Sequence, residues 1–182
     1  MNRSSCHRII GDERGVAAIE FALIVPIVLV MLIGMVYVNE ALTVHRKLRQ
    51  VTATLTDLVA QQDEITQQAV TLTMAGSASL LAPYDTTSLK LVLTVISNNG
   101  GTQTVAWSRA YQTTPESTGN PPAFPVPASL ALDGVQTVAV RADFTYESIF
   151  SALASAFGAG QGLVMQDTMY ERPRTSDTIE LK

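Results

Sequence analysis

The sequence predicts an α+β protein: a long N-terminal helix that passes from transmembrane to amphipathic, a second helix, then a mainly antiparallel sheet of about four strands. Three observations predict it. Residues 16–38 are apolar except for one carboxylate, the apolar positions then recur at helical spacing to about residue 61, and from Ser88 the period drops to two.

The run VAAIEFALIVPIVLVMLIGMVYV after Gly15 holds 23 residues with a single charge, Glu20. At helical rise it spans about 35 Å, enough for a hydrocarbon core of about 30 Å. A carboxylate just inside such a run costs free energy, which makes Glu20 a functional candidate. Pro26 removes one backbone hydrogen bond and crowds the preceding turn. It reads either as a tolerated membrane proline or as a flexible point that helps the helix leave the bilayer and pack. Ala18 and Ala22 permit close helix approach.

Val44, Leu48, Val51, Leu55 and Leu58 follow at spacings of four, three, four and three, one face of an amphipathic helix. No glycine or proline separates them from the apolar run, so one helix is expected from about Val16 to Gln61. His45, among Arg46, Lys47 and Arg49, reads as interfacial or solvated. A second helix is expected from Asp63 as N-cap, through Ile65, Ala69, Leu72 and Met74, weakened at Gly76-Ser77 and ended by Pro83.

Leu89, Leu91, Leu93 and Val95 share one strand face. Asn98-Asn99-Gly100-Gly101 then turns the chain into a second strand, Thr102 to Tyr111. Thr113 to Pro127, with five prolines, predicts an irregular surface loop. Val138, Val140, Ala142, Phe144 and Tyr146 alternate along a half-buried strand. Ile149 to Phe157 predicts a short helix or wide turn, Gly158 to Gly162 a loop, and Leu163 to Glu171 a last strand. Trp107 reads as an aromatic anchor of the sheet, and Arg172-Pro173-Arg174 as the end of the last strand. The expected divisions are a leader (1–15), a transmembrane helix (16–38), an extracytoplasmic α+β domain (39–174) and a loose tail (175–182).

The chain has 182 residues and net charge −4, with no basic stripe outside the membrane flank, which speaks against nucleic-acid binding. Cys6 is the only cysteine, so the rest of the chain forms neither an internal disulfide nor a thiolate metal site. No apolar segment precedes Cys6, which excludes a lipoprotein signal. The apolar run is too long for a conventional secretory signal, and no convincing small-residue cleavage site follows it. Arg3, Arg8 and Arg14 on one side and Arg46, Lys47 and Arg49 on the other leave orientation ambiguous by charge alone.

No G-x-S-x-G, H-E-x-x-H or Walker loop is present, and no catalytic, cofactor or metal residue is assigned. The expectation is a non-enzyme. Asp143 and Asp167 are the one carboxylate pair that neighbouring strands would bring together, as an exported hydrolase would need; solvated strand residues are the simpler reading.

Arg14-Gly15 followed at once by Val16-Ala17-Ala18-Ile19-Glu20-Phe21-Ala22-Leu23, with Pro26 beyond, resembles the class III signal of type IV prepilins. More closely, it resembles the TadE/TadG-like minor pseudopilins of the tight-adherence (Flp-type) pilus system. Val105 to Arg109, the strand Val138 to Tyr146, and Tyr170 to Arg174 resemble the C-terminal portion of that family. The resemblance implies a pilin-like fold and a prepilin peptidase that cuts between Gly15 and Val16. It also implies that Glu20, with Phe21 and Pro26, takes part in recognition and assembly, Glu20 by pairing with the freed amine of its own or a neighbouring chain. The implied partners are the prepilin peptidase, other pilins and pseudopilins, an inner-membrane assembly platform and membrane lipid. The implied location is the bacterial inner membrane, N-terminus cytoplasmic and domain outside. An uncleaved signal-anchor protein, whose outer domain binds a cell-surface partner, is the alternative.

Overall fold

The computed structural model describes residues 13–148, 155 and 162–182. It forms two compact units, one the described part of Met1–Glu40 and the other Ala41–Lys182. The leader before Glu13, the segment expected to turn at 149–157 (Ser155 excepted) and the glycine loop up to Gln161 lie outside the described residues.

Helix α1 runs from Glu13 to Ala60, close to the expected span, with Pro26 inside it. In the second unit its face Val44, Leu48, Val51, Leu55 and Val59 is fully buried. Leu58, expected on that face, is 43% exposed. Leu58 and Val59 flank the stripe at equal angles, and the domain covers the Val59 side. Two threonines complete the buried side, Thr52 and Thr56. Thr56 Oγ1 donates back to the Thr52 carbonyl at 2.6 Å and Thr52 Oγ1 contacts Asp167 Oδ2, which satisfies both hydroxyls.

The second helix starts later than expected. Residues Glu64–Ile65 form a short strand, β1, and helix α2 spans Gln67–Ala78, followed by a 3-10 turn at Ser79–Leu81. Its N-cap is Thr66, whose hydroxyl accepts from the Ala69 N–H at 3.2 Å, in place of Asp63. Val70, Met74, Ser77 and Ala78 face inward, whereas Leu72 is exposed.

Four longer strands follow: β2 (Lys90–Asn99), β3 (Thr102–Tyr111), β4 (Thr137–Tyr146) and β5 (Leu163–Glu171). They form an antiparallel sheet in the order β3-β2-β4-β5, so the expected α+β class holds. The β2–β3 turn places its positive φ on Gly100 (58°) and Gly101 (81°), the pair of left-handed residues that a two-residue hairpin needs. On the inner face Leu89, Leu91, Leu93, Val95, Val138, Val140, Ala142 and Phe144 pack with the α1 stripe into one core. The other face carries a second cluster, in which Phe124 and Val126 of the proline-rich loop cover Ile96 and Ala139. That loop was expected to lie merely on the surface. It is irregular, but its two large apolar side chains make it a cover for the sheet.

Residues 175–182, expected to be a loose tail, are built into the fold. Glu180–Leu181 forms β6, which pairs in parallel with β1. Ile179 is 1% exposed, its N–H donates to Gln136 Oε1 at 2.7 Å, and its carbonyl accepts from the Trp107 indole N–H at 2.8 Å. Trp107 thus anchors the sheet and holds the tail as well. Arg174 fastens the entry to this tail. Its backbone N–H donates to the Ala60 carbonyl at 2.8 Å, one of the otherwise orphaned carbonyls at the end of α1. Its guanidinium bridges Asp57 of α1, at 2.6 Å, and Glu171 of β5.

Because Ile179 fills the core, Ile179→Ala is expected to destabilise the domain by about 2–4 kcal/mol. The neighbouring exposed change Thr178→Ala should stay within about 0.5 kcal/mol. Urea titration of the detergent-solubilised chain, followed by fluorescence of Trp107, its only tryptophan, measures both. Equal stabilities would mean that the tail is not part of the core.

Candidate functional site

All five residues singled out near the N-terminus lie on α1. Val16 and Phe21 are 58% and 69% exposed, and Gly15, Glu20 and Pro26 are exposed as well. Exposure continues on every side of the helix through Ile19, Leu23, Ile24, Ile27, Val28, Leu29, Met31, Leu32 and Met35. A helix apolar all round, with none of its hydrophobic window buried by the chain itself, has the make-up of a membrane span.

Helical geometry sorts the five. Val16 and Glu20 are four residues apart, on one face and about 6 Å along the axis. Phe21 is turned by about 100° from Glu20 and Pro26 by about 240°. The fold therefore brings Glu20 beneath Val16 and leaves Phe21 and Pro26 on other faces. The Gly15–Val16 bond lies within α1, near its N-terminal end. Pro26 supplies no N–H to the Ala22 carbonyl, so the ladder is one bond short there.

The carboxylate pair of the hydrolase reading comes apart. In the β4–β5 register Asp143 faces Gln166, and Asp167 faces Ala142. The two aspartates are thus one step out of phase, and successive side chains of a strand point to opposite faces. Asp143 binds Arg141 (3.2 Å) and Gln166 (2.8 Å) on the outer side. Asp167 turns to Thr52 of α1 on the inner side. Among the described residues no group of three or more His, Cys, Asp or Glu would hold a metal ion. A cavity of about 200 Å³ lies between Tyr84, Asp85, Ser88, Phe144, Tyr146 and Glu147. A second, of about 350 Å³, lies between α1 and α2 beside Leu58, Ile65 and Ala69.

Sequence reasoning missed what the basic cluster does. His45 is exposed, as expected for a solvated or interfacial residue, and so are Arg46 and Arg49. Lys47 instead turns into the fold, its Nζ donating to the carbonyls of Ala82 (2.7 Å) and Leu80 (3.4 Å). The only signal for this is positional: Lys47 neighbours the buried Leu48 on the stripe side of the helix.

A span-length apolar helix joined to an α+β domain has the character of a membrane anchor carrying a C-terminal domain. The profile of the family described as TadE-like protein matches residues 15–54, which hold the whole apolar run and most of the amphipathic continuation of α1. The resemblance drawn from Gly15 to Pro26 is confirmed over that segment, and it implies involvement in tight-adherence (Tad) pilus assembly. Neither the curated proteins nor the solved structures give a match.

In the domain, Glu116 belongs to the proline-rich loop itself, its Oε2 accepting from the Ala123 N–H of the same loop at 3.3 Å. Burial raises its pKa above the ordinary 4.5, against smaller lowering effects of that hydrogen bond and of Arg141. The folded chain therefore keeps this proton at a pH where the unfolded chain has lost it. Stability from this group is highest below 4.5 and falls as pH rises towards the folded value. Glu116→Gln should remove that fall. Its stability gain over the parent should grow upward from pH 4.5 and then level off in urea titrations. A difference independent of pH would show that burial of the carboxyl has no such effect.

Proposed function

We propose that this chain is a membrane-anchored minor pseudopilin that takes part in assembly or priming of a tight-adherence pilus, after a prepilin peptidase cuts between Gly15 and Val16. The observation that carries the reading is the placement of Glu20 one turn from Val16, on the same face of an otherwise uncharged span. Once Val16 is the N-terminus, its ammonium and the Glu20 carboxylate lie within reach of each other, in one chain or between adjacent chains. In a low-dielectric setting each charge offsets the cost of the other, and between chains the pair fixes axial register. The profile match over residues 15–54 supports the system. A domain running from Ala41 to Lys182 suits a low-abundance subunit better than a slender major pilin.

On this reading the N-terminus is cytoplasmic, the domain lies outside the bacterial inner membrane, and the chain is not an enzyme. Its partners are the prepilin peptidase, other pilins and pseudopilins, the inner-membrane assembly platform and lipid. One observation favours the competing reading, an uncleaved signal-anchor protein that binds a cell-surface partner: the Gly15–Val16 bond lies inside a helix rather than in extended chain.

Mass spectrometry of the membrane-extracted protein decides between them. The expected result is a chain that begins at Val16 when the peptidase is present and keeps its leader when it is absent. A leader retained in both strains would reject processing. Glu20→Ala should leave cleavage intact yet bring surface pili close to background, since removing one partner of a buried ion pair costs about 3–5 kcal/mol. Normal piliation in that variant would remove the registry role.

A further inference from the structure

Past its apolar run, α1 carries two opposed faces within the second unit. Val44, Leu48, Val51 and Leu55 are buried in the domain, while Leu42, His45, Arg46 and Arg49 lie together on the open side. Leu42 is 50% exposed and is the last exposed large apolar residue before Leu58. Arg46 follows it by four residues, about 6 Å of helix rise, and Arg49 by about one turn more. The guanidinium groups of Arg46 and Arg49 make no hydrogen bond or ion pair with any described residue, whereas Lys47 between them is consumed by the carbonyls of Leu80 and Ala82. No acidic residue lies between Glu40 and Asp57. The domain beyond is of opposite sign: residues 57–182 hold six Lys and Arg against twelve Asp and Glu, a net of −6.

We propose that this open face, Leu42 with His45, Arg46 and Arg49, docks on the anionic phospholipid headgroups of the membrane that the apolar run enters. The proposal rests on the anchored reading above. Its charge fits one source. Arg46 and Arg49 follow the end of the apolar run at Val38 by about 12 and 16 Å of helix rise, and helical side chains lean back towards the N-terminus, which aims the two free guanidinium groups at a headgroup zone about 5–8 Å deep. Arginine stems lie along apolar surface while the planar heads pair with phosphate oxygens. The acidic remainder of the domain is repelled by the same surface, so attraction is confined to one side of one helix. Contact there sets how the domain stands on the bilayer.

The full chain, with Cys6→Ser and a spin label on Gln50→Cys of the same open face, is reconstituted in phosphatidylcholine vesicles with and without phosphatidylglycerol. The expected result is a loss of label accessibility to a water-soluble relaxation agent when phosphatidylglycerol is present. High salt should reverse that loss, and it should be absent in Arg46→Gln/Arg49→Gln, whose changes touch no contact of the fold. Equal accessibility in both lipids, with the chain floating in both, overturns the docking and leaves the anchor standing. Failure to float with either vesicle overturns the anchor, and the docking falls with it. If lipid has no effect but the double variant still lowers piliation, the face serves an acidic protein partner and the proposal is overturned.

Discussion

The packing of α1 against the inner face of the sheet is the contact on which the rest of the domain depends. Five aliphatic side chains, Val44, Leu48, Val51, Leu55 and Val59, are removed from solvent along one stripe. At about 1.5–3 kcal/mol for each, their gross contribution is comparable with the whole net stability of an ordinary domain. The same helix has no stripe at all towards its N-terminus, where large apolar side chains are exposed on every side. One continuous backbone thus has two solvents, a protein interior and, by its composition, lipid.

The parts of the fold that were legible in the sequence are those governed by a long period. The 23-residue run, the four-three spacing after it, the alternation in Leu89–Val95 and Val138–Tyr146, and the paired glycines at 100 and 101 each have local causes that sequence carries directly. Misjudged elements were short or depended on distant chain. Asp63 and Thr66 are both good caps, and what separates them is that Glu64 and Ile65 pair with Glu180 and Leu181. Nothing local to either segment announces a two-residue parallel pairing. Phe124 and Val126 sit in a stretch whose prolines rule out regular structure but say nothing about which surface it covers.

For the candidate site, the motif from Gly15 to Pro26 is contiguous, and the one-face relation of Val16 to Glu20 follows once the segment is helical. The pairing of Asp143 with Asp167 was not decidable, because it turns on register: a shift of one residue moves a side chain to the opposite face. The same parity that parts them sends Asp167 to Thr52, tying the outermost strand to the helix. Division of labour among Arg46, Lys47 and Arg49 was likewise hidden, since it depends on carbonyls more than thirty residues away.

The tail that closes the core has a consequence for biosynthesis. Lys182 pairs with Glu64 across 118 residues of chain, and Ile179 reaches Trp107 across 72. A ribosome releases the apolar run long before it releases these closing residues. The apolar run is therefore complete while the remainder is still an unfinished polypeptide, without the Ile179 side chain of its core. The core is complete only once the last stretch has arrived beside the first.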